Sequence, residues 1–505
     1  MRAHNTFRDI LIVTLVALVL GAVPMLLGKV APPSTHDEFS YLLQADTFLH
    51  GRLANPPHPM RKYFQTFHEL MEPTYASKYP PAQGIALAIG TLLGHPIIGA
   101  FGTIALACGA IVWMLRACLP ARWALFGGLL AAMHPLIYLW GQIYWGGGVA
   151  MLGGALVAGA AVRAVRRPRR IYGVVLGIGL GILANSRPFE GMIFGVGIVG
   201  WLVWRALSRN RLNEMLFHVM LTCVVTLMPI FVWMGYYNYR VTGSALQSPY
   251  MLYAQRFQLA PLLFWQKPSQ MDLPDEIARY SAGYEFHEYQ RQTSWPGYFA
   301  GVGEKVAAIA KQSFDPITLA ILLLGLPLAI KRPAARWALA MLIGLPVLHM
   351  LITPWFRMQY LAPLGGFFVA LLAFSSRSLS KWSIRKFRLG WTLIAIVLIV
   401  QAGNLAIFIT KLCTNTRPLG AARADMMQEL TQSPGRQLVI VRYLPGPQQI
   451  FEWVYNDADI DSSKVVFAHD KGPQTAAELR NYFRDRQFWL LEVQGSYYQL
   501  NRLSG

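Results

Sequence analysis

Long apolar runs separated by short polar segments cover most of this chain. A helix needs about 20 apolar residues to cross the hydrocarbon of a bilayer, so each long run predicts one membrane-spanning helix. The run at 82–94 is too short to cross and predicts a helix in the membrane interface. The predicted spans are residues 9–28, 97–115, 123–139, 149–162, 171–185, 190–204, 215–235, 316–330, 337–352, 359–374 and 391–411.

Composition and charge agree with a membrane protein. The chain is 54% hydrophobic and 14% charged, which excludes an ordinary soluble protein. Its net charge of +20 comes from Lys and Arg clusters between the spans, such as those at 163–170 and 377–388. The positive-inside rule places such clusters in the cytoplasm, so we assign the basic charge to topology and not to nucleic-acid binding. The loop at 31–81, the stretch at 236–314 and the tail then lie on the outer face.

The pattern changes after residue 411. The segments RQLVIVRYL, KVVFAHD and QFWLLEV predict strands, and TAAELRNYFRDR predicts an amphipathic helix. We therefore predict two domains: a polytopic helical domain with eleven spans over residues 1–411, and a small extracytoplasmic α/β domain over residues 412–505. The alternating acids at 457–461 start like a calcium loop but lack its glycine and closing glutamate, which favours a turn.

The first external loop, residues 31–81, contains the strongest candidates for chemistry. Asp37 and Glu38 follow the first span, and a carboxyl kept beside apolar residues gains proton affinity, as a general base requires. At the other end, Lys78 precedes Tyr79 and two prolines, where a fixed cation would suit a phosphate. The alternatives without a catalytic role are that the acids are simply solvated at the membrane interface and that the lysine contacts lipid headgroups.

These motifs resemble the GT-C superfamily of membrane glycosyltransferases, above all the bacterial branch with protein O-mannosyltransferases and the lipid A aminoarabinose transferase. The resemblance implies a GT-C-like fold in which Asp37 is the base, Glu38 is its neighbour and Lys78 contacts a lipid-linked phosphate. The late segment WFRMQYLAP is similar to the Arg-x-x-Tyr-Leu-x-Pro turn of such enzymes. By that similarity, Arg357 and Tyr360 contact the donor phosphate.

The resemblance implies transfer of a hexose or pentose from a polyprenyl-phosphate donor to a lipid, glycan or protein acceptor, with inversion, at the periplasmic face of the bacterial inner membrane. Phosphate is a good leaving group, so such an enzyme needs a base and cations more than a general acid. One alternative is an oligosaccharide ligase of the same fold. Another is a lipid or sugar transporter, although the predicted spans contain few acids.

Several further residues are weaker candidates. Arg187, in the segment NSRPFEG, either binds the donor phosphate or pairs with Glu190. His58, His68 and Tyr79 belong to the first loop and are candidates for the acceptor side of the site.

No cofactor is firmly indicated by the sequence. His36, Asp37 and Glu38 could hold a divalent metal ion, but no short ligand spacing such as His-x-x-x-His supports one.

Overall fold

The computed structural model describes residues 5–383, 389–414, 418–445, 452–495 and 497–503. Arg385, Lys386 and Arg388, from the last predicted basic cluster, lie outside the described residues. The first helices are α1 (Thr6–Leu26), α2 (His36–Leu49), α3 (Pro81–Leu92), α4 (Pro96–Leu115), α5 (Ala121–Met133), α6 (Pro135–Trp140), α7 (Gly147–Arg166), α8 (Arg170–Ala184), α9 (Pro188–Leu207), α10 (Leu212–Glu214) and α11 (Leu221–Thr242). They are followed by α12 (Pro249–Phe257), α13 (Asp275–Tyr280), α14 (His287–Arg291), α15 (Trp295–Ser313), α16 (Pro316–Ala329), α17 (Pro333–Ile352), α18 (Gly365–Leu379), α19 (Leu389–Thr414), α20 (Pro418–Gln432) and α21 (Thr475–Tyr482).

The polytopic helical architecture is confirmed. Within the described residues, eight helices are long and apolar enough to cross a membrane, or nine if the bent pair α15 and α16 forms one span. These eight coincide with eight of the predicted spans. The other three predicted spans coincide with α5 and α6 together, with the short helix α8, and with α16, which turns by 101° from α15. The interfacial run at 82–94 coincides with the short apolar helix α3.

Residue contacts divide the chain into two compact units. The first contains residues 1–30, 89–233 and 299–414 and is a helical bundle. Its central helix α7 is rich in Gly and Ala, and side chains this small let neighbouring helices approach closely. A Cβ on Gly154 would lie 2.1 Å from the carbonyl oxygen of Pro363, and one on Gly153 would lie 3.0 Å from that of Gly179. The close packing of this bundle therefore depends on glycine.

The second unit contains residues 31–88, 234–298 and 415–505. Near its start, β1 (Glu69–Leu70) and β2 (Ala76–Ser77) form an antiparallel hairpin. The tail forms a four-stranded sheet in the order β4-β3-β5-β6, in which β3 is parallel to β4 and β5, and β6 is antiparallel to β5. Its strands are β3 (Arg436–Tyr443), β4 (Val465–His469), β5 (Arg486–Gln494) and β6 (Tyr497–Arg502).

The predicted C-terminal α/β region is confirmed in outline, since all three predicted strands and the amphipathic helix are present. Sequence reasoning missed α20 and β6. The tail also shares an apolar core with the first external loop, because Tyr63 and Phe64 are buried in one cluster with Leu438, Ile440 and Phe483. The structure thus groups the loop and the tail in one unit, while the boundary at 411 remains a prediction.

The acids at 457–461 form a turn, as expected. The Ser462 amide and the Ser463 hydroxyl donate to Asp459, at its carboxylate and its carbonyl oxygen respectively. The same Ser463 hydroxyl lies 3.1 Å from the carboxylate of Asp457. These contacts are those of a capped turn.

Candidate active site

The site begins at the N-terminus of α2, where the sequence Thr35-x-x-Glu38 forms a capping box. The Glu38 carboxylate is fully buried and turns back to the start of its own helix. Its Oε2 accepts from the backbone amides of Ser34 at 2.9 Å and Thr35 at 3.3 Å. Glu38 therefore fixes the helix start beside Asp37. A role of Glu38 in catalysis remains a prediction.

One face of α2 packs on the hairpin. Asp37, Ser40 and Gln44 are spaced by three and four residues, which places them on the same side of a helix. The Ser40 hydroxyl donates to the carbonyl oxygen of His68 at 2.7 Å, and the Gln44 amide donates to that of Tyr79 at 2.8 Å. These bonds place both ends of the hairpin against the face that carries Asp37.

His68 has an unusual backbone, with φ at 63° in the left-handed region. Few non-glycine residues adopt this region unless their surroundings hold them there. The His68 amide donates to the Tyr253 hydroxyl at 3.1 Å, and its carbonyl oxygen also accepts from the Lys78 amide at 3.1 Å. Three backbone bonds, counting the one from Ser40, thus fix the position of the imidazole.

Asp37, Tyr79 and His68 form one hydrogen-bonded network. The Tyr79 hydroxyl donates to Asp37 Oδ1, and it lies 2.9 Å from Nδ1 of His68. Because this hydroxyl has a single proton, its oxygen must accept from a protonated His68 Nδ1. His68 Nδ1 also lies 3.5 Å from Asp37 Oδ1, and His36 Nε2 lies 3.9 Å from Oδ2. Both hydrogen bonds therefore point toward Asp37: His68 Nδ1 donates to Tyr79, and Tyr79 donates to the carboxylate.

The raised proton affinity expected for Asp37 is wrong in sign. Burial alone would raise its pKa, but the hydrogen bond of His68, the neighbouring His36 and the Tyr79 hydroxyl outweigh burial. Together they hold the pKa of the Asp37 carboxyl well below its usual 3.8. Asp37 is therefore ionised at neutral pH, and its side chain remains 30% exposed to solvent.

His68 is neutral at the same pH. Burial lowers its pKa well below 6.5, and the charges of Lys78 and His36 act in the same direction against the attraction of Asp37. Burial also raises the pKa of the Tyr79 hydroxyl, as does the charge of Asp37, so Tyr79 keeps its proton. The resting site thus contains one carboxylate and two neutral partners.

Lys78 lies beside this network inside a cage of tyrosine rings. Its Nζ is 4.5 Å from the ring centre of Tyr253, 5.2 Å from that of Tyr250 and 5.4 Å from that of Tyr79. The residue is only 5% exposed, and none of the described hydrogen bonds or ion pairs involves its Nζ. Burial lowers its pKa to about 8, although the carboxylates of Glu285 and Asp37 oppose this shift.

Sequence reasoning missed the tyrosines of the second external stretch. Tyr250 and Tyr253 reach the site through α12, and Tyr280 reaches it through α13, where its ring lies 4.7 Å from that of His36. The one available signal was the abundance of tyrosine between residues 236 and 289. No motif indicates which of these rings lie near the first loop.

His58 has different partners from the other loop histidines. Its Nε2 lies 3.0 Å from the carboxylate of Asp461, and its Nδ1 accepts from the Met60 amide. The contact with Asp461 joins the first loop to the tail. The structure therefore gives His58 a structural position, and its predicted role at the acceptor remains a prediction.

The other predicted phosphate contacts belong to the first unit. The guanidinium of Arg187 lies 5.2 Å from the ring centre of Tyr360 and donates to the carbonyl oxygen of Trp145 at 3.1 Å. Glu190, the alternative partner for Arg187, has its carboxylate 3.6 Å from Nε2 of His349. The structure thus brings Arg187 and Tyr360 together, as two contacts of one phosphate would require.

Arg357 precedes the 3₁₀ segment Met358–Leu364, which carries Tyr360. Its side chain is exposed, with one guanidinium nitrogen 3.3 Å from the carbonyl oxygen of Phe356. Its role in donor binding remains a prediction.

A metal ion has a different possible ligand set from the one expected. His36, Asp37 and His68 each offer a ligand atom, and these atoms all lie within 4.8 Å of one another. Two imidazoles and a carboxylate suit a borderline divalent ion such as Zn²⁺, which would add positive charge beside Asp37. Glu38, expected in this set, places its Oε2 on the helix cap instead.

No protein-family model matches the chain, and no curated protein sequence matches it. Among solved structures, the chain is similar to ArnT from Cupriavidus metallidurans bound to undecaprenyl phosphate, with 14% identity, 95% of this chain and 92% of that chain covered, and a TM-score of 0.49. It is also similar to the oligosaccharyltransferase AglB from Archaeoglobus fulgidus in complex with an inhibitory peptide and a dolichol-phosphate, with 12% identity, 86% and 62% covered, and a TM-score of 0.48.

Proposed function

We propose that this protein is a membrane glycosyltransferase that moves a sugar from a polyprenyl-phosphate donor to an acceptor hydroxyl, with inversion at the anomeric carbon. One observation carries the proposal. Tyr79 joins an ionised carboxylate to a caged ammonium, because its hydroxyl donates to Asp37 while its ring faces Lys78. An acceptor base and a phosphate contact beside each other are what transfer from a sugar phosphate needs.

Asp37 is the proposed base. Its low pKa makes it a weak base, but an acceptor hydroxyl becomes strongly acidic as its oxygen bonds to an anomeric carbon with oxocarbenium character. The carboxylate therefore needs to accept the proton only late in the displacement. Its remaining exposure leaves room for an acceptor, and Tyr79 and His68 hold its orientation.

Lys78 is the proposed contact for the departing phosphate. An ammonium that no described hydrogen bond or ion pair involves keeps its donors for an incoming anion. Charge on the phosphate grows as the glycosidic bond breaks, so a fixed cation stabilises the transition state more than the bound donor. Arg187, Tyr360 and Arg357 are proposed as further donor-phosphate contacts.

The basic clusters between the spans support a periplasmic site in a bacterial inner membrane. A compartment without nucleotide sugars favours a lipid-linked donor. The acceptor is then a lipid, a glycan or a protein exposed at that face.

The test is transfer of label from a panel of polyprenyl-phosphate hexoses and pentoses by the purified protein in lipid nanodiscs. We expect one donor to be consumed with release of polyprenyl phosphate. Asp37→Asn should reduce this turnover by about a thousandfold or more, in the range of a lost general base combined with lost orientation. Glu72→Gln changes an exposed acid of the same loop and serves as the matched control.

Three outcomes contradict the proposal in different ways. Full activity of Asp37→Asn would remove Asp37 as the base. Turnover only with a whole lipid-linked glycan would make the protein an oligosaccharide ligase. Movement of a lipid-linked sugar across the bilayer without bond cleavage would make it a transporter.

A further inference from the structure

In the C-terminal sheet, the edge at the carboxyl ends of the parallel strands contacts another segment of the chain. In open sheets with parallel strands, ligands bind beyond the carboxyl ends of the strands. Here β3 ends at Tyr443 and β4 ends at His469, directly before Asp470 and Lys471. This edge contacts the chain's own 275–291 segment, which consists of α13, the π-helical turn Ser281–Phe286 and α14.

Two contacts attach α13 to this edge. The Lys471 ammonium pairs with Glu276 Oε2 at 2.5 Å, and the guanidinium of Arg279 lies 4.3 Å from the ring centre of Tyr443. The Glu276 side chain is only 3% exposed. A buried carboxylate that loses its partner is strongly destabilising where it lies, so this pair can hold α13 in place.

An adjacent side of α13 contacts the candidate active site. Ile277 and Tyr280 are three residues apart, which places them on one side of the helix, beside the Glu276 and Arg279 side. Both are buried in a cluster with Phe67, whose ring centre lies 4.8 Å from that of Tyr280. The Tyr280 ring also lies 4.7 Å from that of His36 and 5.9 Å from that of His68.

We infer that the C-terminal domain is a positioning element that holds the 275–291 segment, through the Glu276–Lys471 pair and the Arg279–Tyr443 contact, so that Tyr280 covers the histidines beside Asp37. Loss of these contacts releases Tyr280, admits water to the network and loosens the base. The inference that the C-terminal domain holds this segment needs no assumption about the reaction. Its consequence for sugar transfer rests on the proposed function.

The docking is tested by amide hydrogen exchange of the full-length protein in nanodiscs. In Lys471→Met, we expect at least tenfold faster exchange across residues 275–291, with wild-type exchange in β3 and β5. Lys471→Arg keeps the charge and should exchange like the wild type, and Arg279→Met offers a second way to release the segment. Lys62→Met removes the exposed pair between Lys62 and Glu478, another contact of the tail with the first loop, and should leave residues 275–291 protected. Wild-type protection of this segment in both Lys471→Met and Arg279→Met would overturn the inference.

The consequence is tested by a double-mutant cycle on kcat/KM. Lys471→Met and Tyr280→Leu should each lower kcat/KM by about tenfold through kcat, and the double variant should lose no more than the worse single variant, because both act through one segment. Fully multiplicative losses would overturn the positioning role. If the wild type transfers no sugar from any donor, the proposed function fails, and the exchange result alone decides whether the tail positions the segment.

Discussion

Two of the cations proposed as donor-phosphate contacts, one in each unit, face aromatic rings. Lys78 lies among three tyrosine rings and is 5% exposed, and no described hydrogen bond or ion pair involves its ammonium. Arg187 faces one ring, that of Tyr360, and already donates to the carbonyl oxygen of Trp145. The Lys78 ammonium is surrounded by ring faces, whereas the Arg187 guanidinium already donates one hydrogen bond to the backbone.

This difference shows how the surroundings of a cationic side chain determine its protonation and its way of binding an anion. A guanidinium stays protonated at every physiological pH and binds through a planar fork, while an ammonium readily loses its proton when buried. Burial has lowered the pKa of Lys78 to about 8. Lys78 is therefore the cation whose charge depends on its pocket, and an incoming phosphate would restore that charge.

Between these two cations, the larger effect is expected from removing the charge of Lys78. Lys78→Met should lower kcat/KM by about 10²–10³, as the loss of a donor to a developing oxyanion does. Donor titrations with the purified variant measure this effect. Lys62→Met, which removes an exposed lysine of the same loop, is the control and should match the wild type. An equal, small loss in both variants would mean that the cage is structural.

The pH dependence comes next. Since the pKa of Lys78 is lowered to about 8, its charge is present below that pH and lost above it. The value of kcat/KM should therefore fall about tenfold per pH unit above 8, with kcat less affected because a bound phosphate keeps the ammonium protonated. Lys78→Arg should lose this alkaline fall even if its overall rate is lower. A profile that stays flat to pH 9.5 in the wild type contradicts the assignment.

A smaller effect is expected at Arg187. Tyr360→Leu removes the ring beneath the guanidinium and should raise the donor KM about two- to fivefold, the size of one cation–π contact. Tyr360→Phe keeps the ring and is the matched control, so it separates the ring from the hydroxyl. A large loss in Tyr360→Phe would instead assign a direct hydrogen bond from the hydroxyl to the donor.

Substitutions of Glu38, the neighbour of Asp37, separate a stability effect from an effect on catalysis. Glu38→Ala should lower the free energy of unfolding by about 1 kcal/mol, because it removes the cap of α2. Glu38→Gln can still accept from Ser34 and Thr35, so its stability and kcat should stay close to those of the wild type. Thermal unfolding and turnover measure the two effects. A hundredfold loss of kcat in Glu38→Gln would restore the acid to the catalytic machinery.

Removal of divalent ions should have the smallest effect. Within the described network, Asp37 and His68 already satisfy each other through Tyr79, so we expect a chelator to change turnover by less than about twofold. Turnover and metal content are measured before and after dialysis against the chelator. A loss that Zn²⁺ or Mn²⁺ reverses would instead assign His36, Asp37 and His68 as ligands.

Much of the architecture could be predicted without coordinates. Apolar length located the helices of the bundle, and alternating patterns located β3, β4, β5 and α21. Length alone leaves α5 and α8 as predicted spans that the structure does not decide, and the exposed strand β6 was missed because its sequence signal is weak. Hydrophobic periodicity reports which face of an element is buried, not what buries it.

The residues of the candidate site could likewise be predicted only in part. Asp37 and Lys78 were found because acids and cations beside a span are rare enough to stand out. Tyr253 and Tyr280 were not found, since an aromatic residue in a long polar stretch carries no local sign of its distant partners. The low pKa of Asp37 was also missed, because it depends on His68 and Tyr79, which follow it by 31 and 42 residues.

The sequence by itself determined the apolar helices, the sheet-forming tail and the loop that carries the acid and the lysine, because these features depend on residue type and spacing along the chain. Only the tertiary structure decided that Glu38 caps a helix while Asp37 meets Tyr79, and that three tyrosines surround Lys78. It also decided that Lys471 of the tail pairs with Glu276 of the segment carrying Tyr280. Protonation states and cages are made by neighbours in space, and folding alone brings those neighbours together.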